Sequence, residues 1–438
     1  MKPLSALVAL ACFGCIGGAG FAQQGVVAAD LWRPSHTETE PLSYRASLEA
    51  LANDFPDSAN ARARLLRAQL DDGDTDAALD SLMWFKQRGV SFNEEAQAQI
   101  LDMVAEEQAG QVRDLLIAAP EVIEASTLYA AMPAEAGLVE GLFAAQSHNM
   151  LVATSMSAGA IYLYEAPTGQ LAEGKWTAVQ IPGANDLSGI VGEADASIGW
   201  AASSDLDGSE EEEAPFTGLM GLRADFQNPI LVPAPEGAKA IGDITMGPDA
   251  TVYASDPVGG GIYRKPIGAV EMEELILPGN FVSPQGLALS QSGELLYVSD
   301  YLYGLAVVEI GEGTVARLPS DVPVFLDGID GLWRHGNTLI AMQNVDSPMR
   351  IVALNLSDDG RRIIGVRVLE QAHSKWTKPR GGSISDGALY YIATGQYDRS
   401  GMGEGGDGNA PQTIQIRRLE LPNLNEERQA AQMLDGAP

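Results

Sequence analysis

The feature that most constrains this chain is a repeat of 43 to 54 residues that occurs six times between residues 138 and 420. Each copy opens with a short apolar strand, a polar turn and a second apolar strand, as in IGDITMGPDATVYASD from residue 241 and PQGLALSQSGELLYVSD from residue 284. A third strand usually follows, and several copies show a fourth. This period with four strands per unit is typical of a β-propeller, so the sequence predicts a mainly β fold with six blades.

Six positions align across the repeats, at the start of the first strand of each. They are Glu140, Ser188, Gly242, Gln285, Asp330 and Gly381. The first strand of a blade lines the central channel, so we expect these residues at one mouth of that channel. The sixth repeat lacks a fourth strand after TIQIRRLEL, and the segment 125–133 is predicted to supply it and close the ring.

The region before the repeats has helical rather than β periodicity. Within residues 43–122, apolar residues recur at helical spacing, Asp57 or Ser58 is a candidate helix cap, and Gly73-Asp74 marks a turn between two helices. The rhythm resembles a tetratricopeptide pair, although one or two pairs are too few for a free-standing solenoid. Two interpretations follow: a helical pack docked on the propeller, or a groove that binds a protein partner.

The first residues of the chain are predicted to carry targeting information rather than fold. Residues 1–22 combine Lys2, an apolar run and small residues before a plausible cleavage site, which predicts a secretory signal peptide. A lipoprotein site at Cys15 is the weaker alternative. We therefore expect a periplasmic or secreted protein without a membrane span, with a leader at 23–42, the propeller at 123–423 and a tail at 424–438.

Charge and cysteine content exclude several function classes. The formal net charge is −32, which repels nucleic acid and anionic lipid and leaves a small molecule or a protein as the expected partner. Cys12 and Cys15, the two cysteines of the chain, both lie in the predicted signal peptide. The mature chain is therefore predicted to contain no disulfide, no thiol nucleophile and no thiolate metal site.

Four stretches carry a resemblance to a known family. They are VEGLF at 139–143, GDITMGPDATVYASD at 242–256, SPQGLALSQSGELLYVSD at 283–300 and GIDGLWRHGNTLIAMQN at 328–344. Over about residues 138–420 the chain resembles the senescence-marker-protein/gluconolactonase/luciferin-regenerating-enzyme-like family of six-bladed propellers. Its lactonases hold a divalent metal, usually Ca²⁺ or Zn²⁺, at the channel mouth, with ligands in E-G, N-D, P-N-G and D-G motifs.

The resemblance implies a metal site that this chain retains only in part. Glu140 and Asp330 match the E-G and D-G ligands, Gln285 stands where the family has one asparagine, and Gly242 stands where it has the other. The implied ligands are Glu140, Gln285 and Asp330, with Asp330 also the catalytic acid/base, and oxygen ligands favour Ca²⁺. The alternative is that Glu140 and Asp330 are channel residues bound to water or to Arg380.

Further residues near the predicted mouth are candidates for contact with a substrate. They are Asp243, Tyr301, Asn344, Arg380 and Tyr397. The long loops of blades two and six, which include the acidic stretch 203–214 and GMGEGGDGN, would wall the mouth or stay solvated. The sequence therefore leaves two hypotheses: an exported, metal-assisted hydrolase of a lactone or ester, or a non-catalytic propeller that binds a small molecule or, through its helices, a protein.

Overall fold

The computed structural model describes a large part of the chain. It covers Trp32 and residues 42–117, 119–145, 150–166, 174–192, 198–205, 216–223, 226–345, 348–396 and 412–422. The predicted signal peptide, most of the predicted leader, the C-terminal tail and most of the two long loops of blades two and six lie outside these ranges. Within them, the helices are all too short or too polar to cross a bilayer.

Five helices precede the strands in the described part of the chain. They are α1 (Tyr44–Asp54), α2 (Ala59–Asp71), α3 (Thr75–Gln87), α4 (Glu94–Asp102) and α5 (Glu106–Leu115). Ser58 begins α2 and Asp74 begins α3, each accepting a hydrogen bond from the backbone amide three residues later. Gly73, at φ +70°, makes the predicted turn between these helices. The helical prediction is therefore confirmed, while the tetratricopeptide resemblance stays a prediction.

Twenty-four strands are described, and they form six four-stranded sheets. In chain order the first half is β1 (Thr127–Met132), β2 (Val139–Ala145), β3 (Met150–Ser155), β4 (Ala160–Glu165), β5 (Lys175–Gln180), β6 (Asp186–Gly192), β7 (Ile198–Ser204), β8 (Gly218–Arg223), β9 (Ile230–Pro233), β10 (Ile244–Met246), β11 (Val252–Ser255) and β12 (Ile262–Lys265). The second half is β13 (Glu273–Ile276), β14 (Pro284–Leu289), β15 (Leu295–Asp300), β16 (Gly304–Glu309), β17 (Thr314–Arg317), β18 (Ile329–His335), β19 (Thr338–Gln343), β20 (Arg350–Leu356), β21 (Ile363–Gln371), β22 (Arg380–Ser385), β23 (Ala388–Ile392) and β24 (Ile414–Glu420).

The sheets are the six predicted blades. Five consist of consecutive strands, β2 to β5, β6 to β9, β10 to β13, β14 to β17 and β18 to β21, and each pair is antiparallel. The sixth has the order β1-β24-β23-β22, so the strand at Thr127–Met132 completes the last blade, as the sequence predicts. This pairing joins the two ends of the repeat region and gives the sixth blade the same four strands as the others.

Apolar side chains fill the space between neighbouring blades. Between blades four and five, Tyr297 and Val307 pack in one buried cluster with Leu339 and Val352, all at most 2% exposed. These residues alternate along their strands with residues that face the other neighbouring blade, which is the period-two pattern that the repeats show. The ring is therefore stabilised by burial, without any cross-link.

The helices pack directly on the propeller, over blades four and five. Phe55, after α1, stacks on Tyr303 with ring centroids 4.4 Å apart. Phe325, in the loop before β18, is 1% exposed and lies in the same cluster as Leu82 and Phe85 of α3. The structure therefore supports the docked interpretation of this region, and a protein partner for it stays a prediction.

Polar contacts fix the same interface. The carboxylate of Asp327 accepts hydrogen bonds from the backbone amides of Ala59 (2.8 Å) and Asn60 (2.7 Å) at the start of α2. Ser58 donates its hydroxyl to the carbonyl of Leu302 at 2.9 Å. Asp327 lies three residues before Asp330, so the N-terminus of α2 is attached to the loop that leads into the predicted site.

Candidate functional site

The aligned residues are set apart from their strands by β-bulges. In the pairing of β2 with β3, Val139 faces Ser155 and Gly141 faces Thr154, so Glu140 is an extra residue. Equivalent register shifts fall at the aligned position of the first strand in blades two, four, five and six. A bulge leaves one residue outside the ladder and re-aims its side chain. The repeated bulge therefore turns these positions towards the channel.

Glycines beside the aligned positions allow the first strands to come together at the axis. A Cβ at Gly189 would lie 2.7 Å from the carbonyl oxygen of Gly242, and one at Gly286 would lie 2.6 Å from the amide nitrogen of Leu332. Instead the Gly189 amide donates a hydrogen bond to the Gly242 carbonyl at 3.0 Å, across two blades. Five of the six aligned residues are followed by a glycine, and close backbone approach explains this X-Gly pattern.

A cavity of about 410 Å³ lies where these strands begin. Its volume falls in the range of small-molecule sites. All six aligned residues line it, together with Asp243 and Arg380, so the aligned positions meet in one cavity. Pro257 and Val258, from the loop between β11 and β12, complete the wall on the side of blade three.

Glu140 and Arg380 form an ion pair in the cavity wall. Arg380 Nη1 lies 2.5 Å from Glu140 Oε1, and the two side chains are only 13% and 15% exposed. Burial raises the pKa of Glu140 and Asp330 adds to this by like charge, while the Arg380 guanidinium opposes both effects. This contact between Glu140 and Arg380 is the alternative to a metal site that the sequence leaves open.

Asp330 is held from behind by a short chain of side chains. Burial raises its pKa, while the charge of Arg380 and a hydrogen bond from Asn344 lower it. The Asn344 amide also donates to the carbonyl of Pro379 at 3.2 Å and accepts the hydroxyl of Tyr301 at 2.8 Å. Asn344 is 2% exposed and lies at the end of β19, so its amide is fixed in one orientation.

Asn344 follows the position at which blades three and four carry an aspartate. In the strand pairing, Asp300 lies opposite Pro284 and Gln343 lies opposite Ile329, so Gln343 is the residue of blade five that corresponds to Asp300. Asp300 accepts the backbone amide of Val282 at 2.7 Å, whereas the Gln343 amide donates to the carbonyl of Asp327 at 2.7 Å. Asn344 is the next residue, and its amide donates to Asp330, which a carboxylate there would repel.

Asp243 is the third carboxyl group of the cavity. Burial raises its pKa to about 7, and the charges of Asp330 and Glu140 act in the same direction. Hydrogen bonds from the backbone amides of Leu287, at 3.2 Å, and Ile244 oppose this shift. Because its pKa is close to neutral, Asp243 can exist as acid or base under ordinary conditions.

The predicted metal ligands share the cavity without forming a complete coordination sphere. Among the described residues no group of three acidic or histidine side chains is close enough to hold a metal ion. Glu140 contacts a guanidinium, and the Gln285 amide donates to the hydroxyl of Ser283 at 3.0 Å. Gly242 supplies no side chain, and a Cβ there would lie 2.9 Å from Pro257. These side chains therefore fit a divalent metal poorly, and the metal stays a prediction of the sequence.

The structure places the described candidates for substrate contact in two different positions. Asp243 and Arg380 line the cavity, whereas Tyr301 and Asn344 lie behind Asp330 and hold it. Tyr397 lies outside the described residues. Sequence reasoning did not single out Pro257, although it lies in a loop between second and third strands, the kind of loop expected on the face of the mouth. It also missed Lys378, whose charge lowers the pKa of Asp330.

Fold and site together define the chain as a six-bladed β-propeller with a carboxyl-lined cavity at one mouth of its channel. Solved structures similar to it include a calcium-binding protein, regucalcin, from Agrobacterium tumefaciens, with 14% identity over 68% of this chain and 94% of that chain and a TM-score of 0.48. A gluconolactonase from Xanthomonas campestris matches with 12% identity over 69% and 98% of the two chains and a TM-score of 0.45. Luciferin-regenerating enzyme matches with 12% identity over 65% and 92% and a TM-score of 0.44.

These structures belong to the family that the sequence motifs resemble. Identities of 12–14% with TM-scores below 0.5 assign no activity to this chain. No protein-family model and no curated protein sequence matches it. Any function for the cavity must therefore be argued from the side chains that line it.

Proposed function

We propose that this protein hydrolyses a small lactone or ester in the cavity at the channel mouth, with its carboxyl groups as the acid and base. The observation that carries the proposal is the meeting of three half-buried carboxyl groups in one cavity of about 410 Å³. Glu140, Asp243 and Asp330 come from three different blades. Like charges gathered at low exposure destabilise a fold unless they do chemistry or bind a ligand, so their convergence favours a functional site.

The carboxyl groups differ in their surroundings, and the differences suggest separate roles. Burial is the largest influence on both Asp330 and Asp243, and it raises the pKa of each. The charge of Arg380 and a hydrogen bond from Asn344 oppose that rise at Asp330. Asp243 instead accepts hydrogen bonds from the backbone amides of Leu287 and Ile244, and its pKa is about 7. Two carboxyl groups whose environments differ in this way are suited to act as base and acid respectively.

The reaction can be written with these two groups. Asp330 takes a proton from a water molecule as the water oxygen bonds to the carbonyl carbon of the lactone. The acyl carbon–oxygen bond of the ring then breaks, and the leaving oxygen takes the proton of the Asp243 carboxyl group. The product is an open hydroxy acid, and Asp330 and Asp243 regain their starting states by exchange with solvent.

The test is a hydrolysis screen on the purified full chain with γ-lactones, δ-lactones and simple aryl esters. Asp330→Asn keeps the size of the side chain and should lower kcat/KM about 100-fold or more, the usual contribution of a general base. Asp321→Asn is the matched control, since that carboxylate is 51% exposed in a surface ion pair, and it should leave the rate unchanged. Equal rates in the two variants, or no hydrolysis by the wild type, would contradict the proposal.

A second function, binding without turnover, is favoured by one observation. Glu140 and Arg380 already neutralise each other, so the wall presents both signs of charge to a ligand, as zwitterion binding requires. In that case calorimetry would show a ligand of mixed charge bound without turnover.

Export is the last part of the proposal. The predicted signal peptide would take this activity to the periplasm or outside the cell, and fractionation of cells that express the full chain would test this.

A further inference from the structure

Glu140 is paired with a positive charge that the protein itself supplies. Arg380 begins β22 in blade six and Glu140 lies near the start of β2 in blade one, so the two side chains meet across neighbouring blades. Their contact of 2.5 Å is at the short end of charge-assisted hydrogen bonds, and both side chains are largely shielded from solvent. A bound metal ion would have to displace this guanidinium to reach Glu140.

The opposite side of the cavity is closed to a metal ligand. The backbone of Gly242 passes so close to Pro257 that an added Cβ would lie 2.9 Å from its Cδ atom and 3.0 Å from its Cγ atom. The pyrrolidine ring therefore occupies the direction in which a side chain from blade three would extend. Ser188 does not replace it, because its hydroxyl donates to the carbonyl of Gly242 at 2.9 Å.

The guanidinium influences two of the acidic residues at once. Arg380 lowers the pKa of Glu140, to which it is bound, and also that of Asp330. Lys378, two residues earlier, acts on Asp330 in the same direction. A divalent cation placed between Glu140 and Asp330 would face this positive charge at close range, where repulsion is strong because the site is shielded from water.

We propose that Arg380 is the built-in cation of this cavity and takes the electrostatic place that a divalent metal would have between Glu140 and Asp330. The ligand that this arrangement selects carries an electron-rich oxygen, such as a lactone carbonyl or a carboxylate, and needs no metal ion to bind. The choice of ligand rests on the proposed function, whereas the metal independence of the cavity does not. The two statements can therefore fail separately.

The experiment is a calcium titration of the full chain by calorimetry, on wild type and on Arg380→Gln. The wild type should show no stoichiometric site, and weak binding to its acidic surface should be the same in Glu140→Gln. Arg380→Gln leaves the carboxylates uncompensated and should tighten calcium binding at least about tenfold, because a like charge has been removed from a shielded site. The double variant Arg380→Gln/Glu140→Gln should lose that gain.

Two further variants make the result specific. Arg264→Gln removes an arginine that pairs with Glu273 at 2.6 Å outside the cavity, and it should bind calcium as the wild type does. Arg380→Lys keeps the positive charge and should also remain without a site, which covers the case in which Arg380→Gln does not fold. A stoichiometric calcium site in the wild type that Glu140→Gln abolishes would overturn the proposal. So would a folded Arg380→Gln with unchanged affinity. A wild type that binds no calcium and hydrolyses nothing would refute the proposed function alone.

Discussion

The attachment of the helices to the propeller can be tested by replacing Asp327 with alanine. Its carboxylate is 6% exposed and accepts the amides of Ala59 and Asn60, the first two residues of α2. Without it, two partly buried N–H groups at a helix N-terminus lose their acceptor. Each such loss destabilises by about 1–3 kcal/mol, so the two together give about 2–6 kcal/mol.

The lower end of that range is the better estimate. Burial raises the pKa of Asp327 to about 6, so keeping its carboxylate ionised at neutral pH itself costs free energy that the alanine variant avoids. We therefore expect a loss of about 2 kcal/mol in the free energy that holds α2 on the propeller. By the usual conversion this increases the population of the detached helix about 30-fold.

Hydrogen exchange followed by mass spectrometry measures this directly. Peptides from α2 should exchange about 30-fold faster in Asp327→Ala, while peptides from β14 to β16 keep their protection, since local opening is independent of global unfolding. Asp321→Ala, in the same loop, is the control: it removes an ion pair that is about half exposed and should change exchange little. Equal exchange of α2 in the wild type and Asp327→Ala would refute the account of this interface.

Three other predictions concern buried polar groups. Glu370 is 0% exposed and accepts hydrogen bonds from both the amide and the hydroxyl of Ser126, which lies next to the closing strand β1. Glu370→Gln should therefore lower the unfolding free energy, measured by urea titration, by about 3 kcal/mol. The pKa of Asp243 is raised from 3.8 to about 7. Its contribution to stability is therefore present below about pH 4 and is lost as the pH rises through 7. Asp243→Asn should flatten this pH dependence of the unfolding free energy by at most about 4 kcal/mol. Asn344→Leu removes a hydrogen bond to the ionised form of Asp330, so the acidic limb of the kcat/KM profile should move to higher pH. An unmoved limb would contradict the role given to Asn344.

The sequence was sufficient for the architecture because each blade repeats the same local pattern. The alternation in VYASD and LLYVSD predicts the strands, and the regular spacing of the six aligned positions gives the number of blades. Closure by β1 was predicted because the sixth repeat lacks a fourth strand, while the segment before the first repeat contains an additional strand. Each of these inferences uses information that lies within a few residues or recurs at a fixed period.

The site itself was only partly predictable. The X-Gly pattern identified Glu140 and Asp330, but the bulges that turn them inwards depend on pairing with the second strand. Which charges meet depends on contacts between residues 240 positions apart, such as Arg380 with Glu140. The sequence left metal and ion pair as alternatives, and only the packing of Arg380 and Pro257 against the cavity favours the second.

The central claim is that this cavity performs hydrolysis with its own side chains. The most direct measurement is the initial rate of lactone hydrolysis at neutral pH by protein stripped of metal with a chelator, beside the same protein before treatment. The account predicts equal rates for the two wild-type samples, and a loss of about 100-fold or more when Asp330→Asn is measured in the same way. A rate that disappears on chelation and returns with calcium would contradict it, as would an Asp330→Asn variant as active as the wild type.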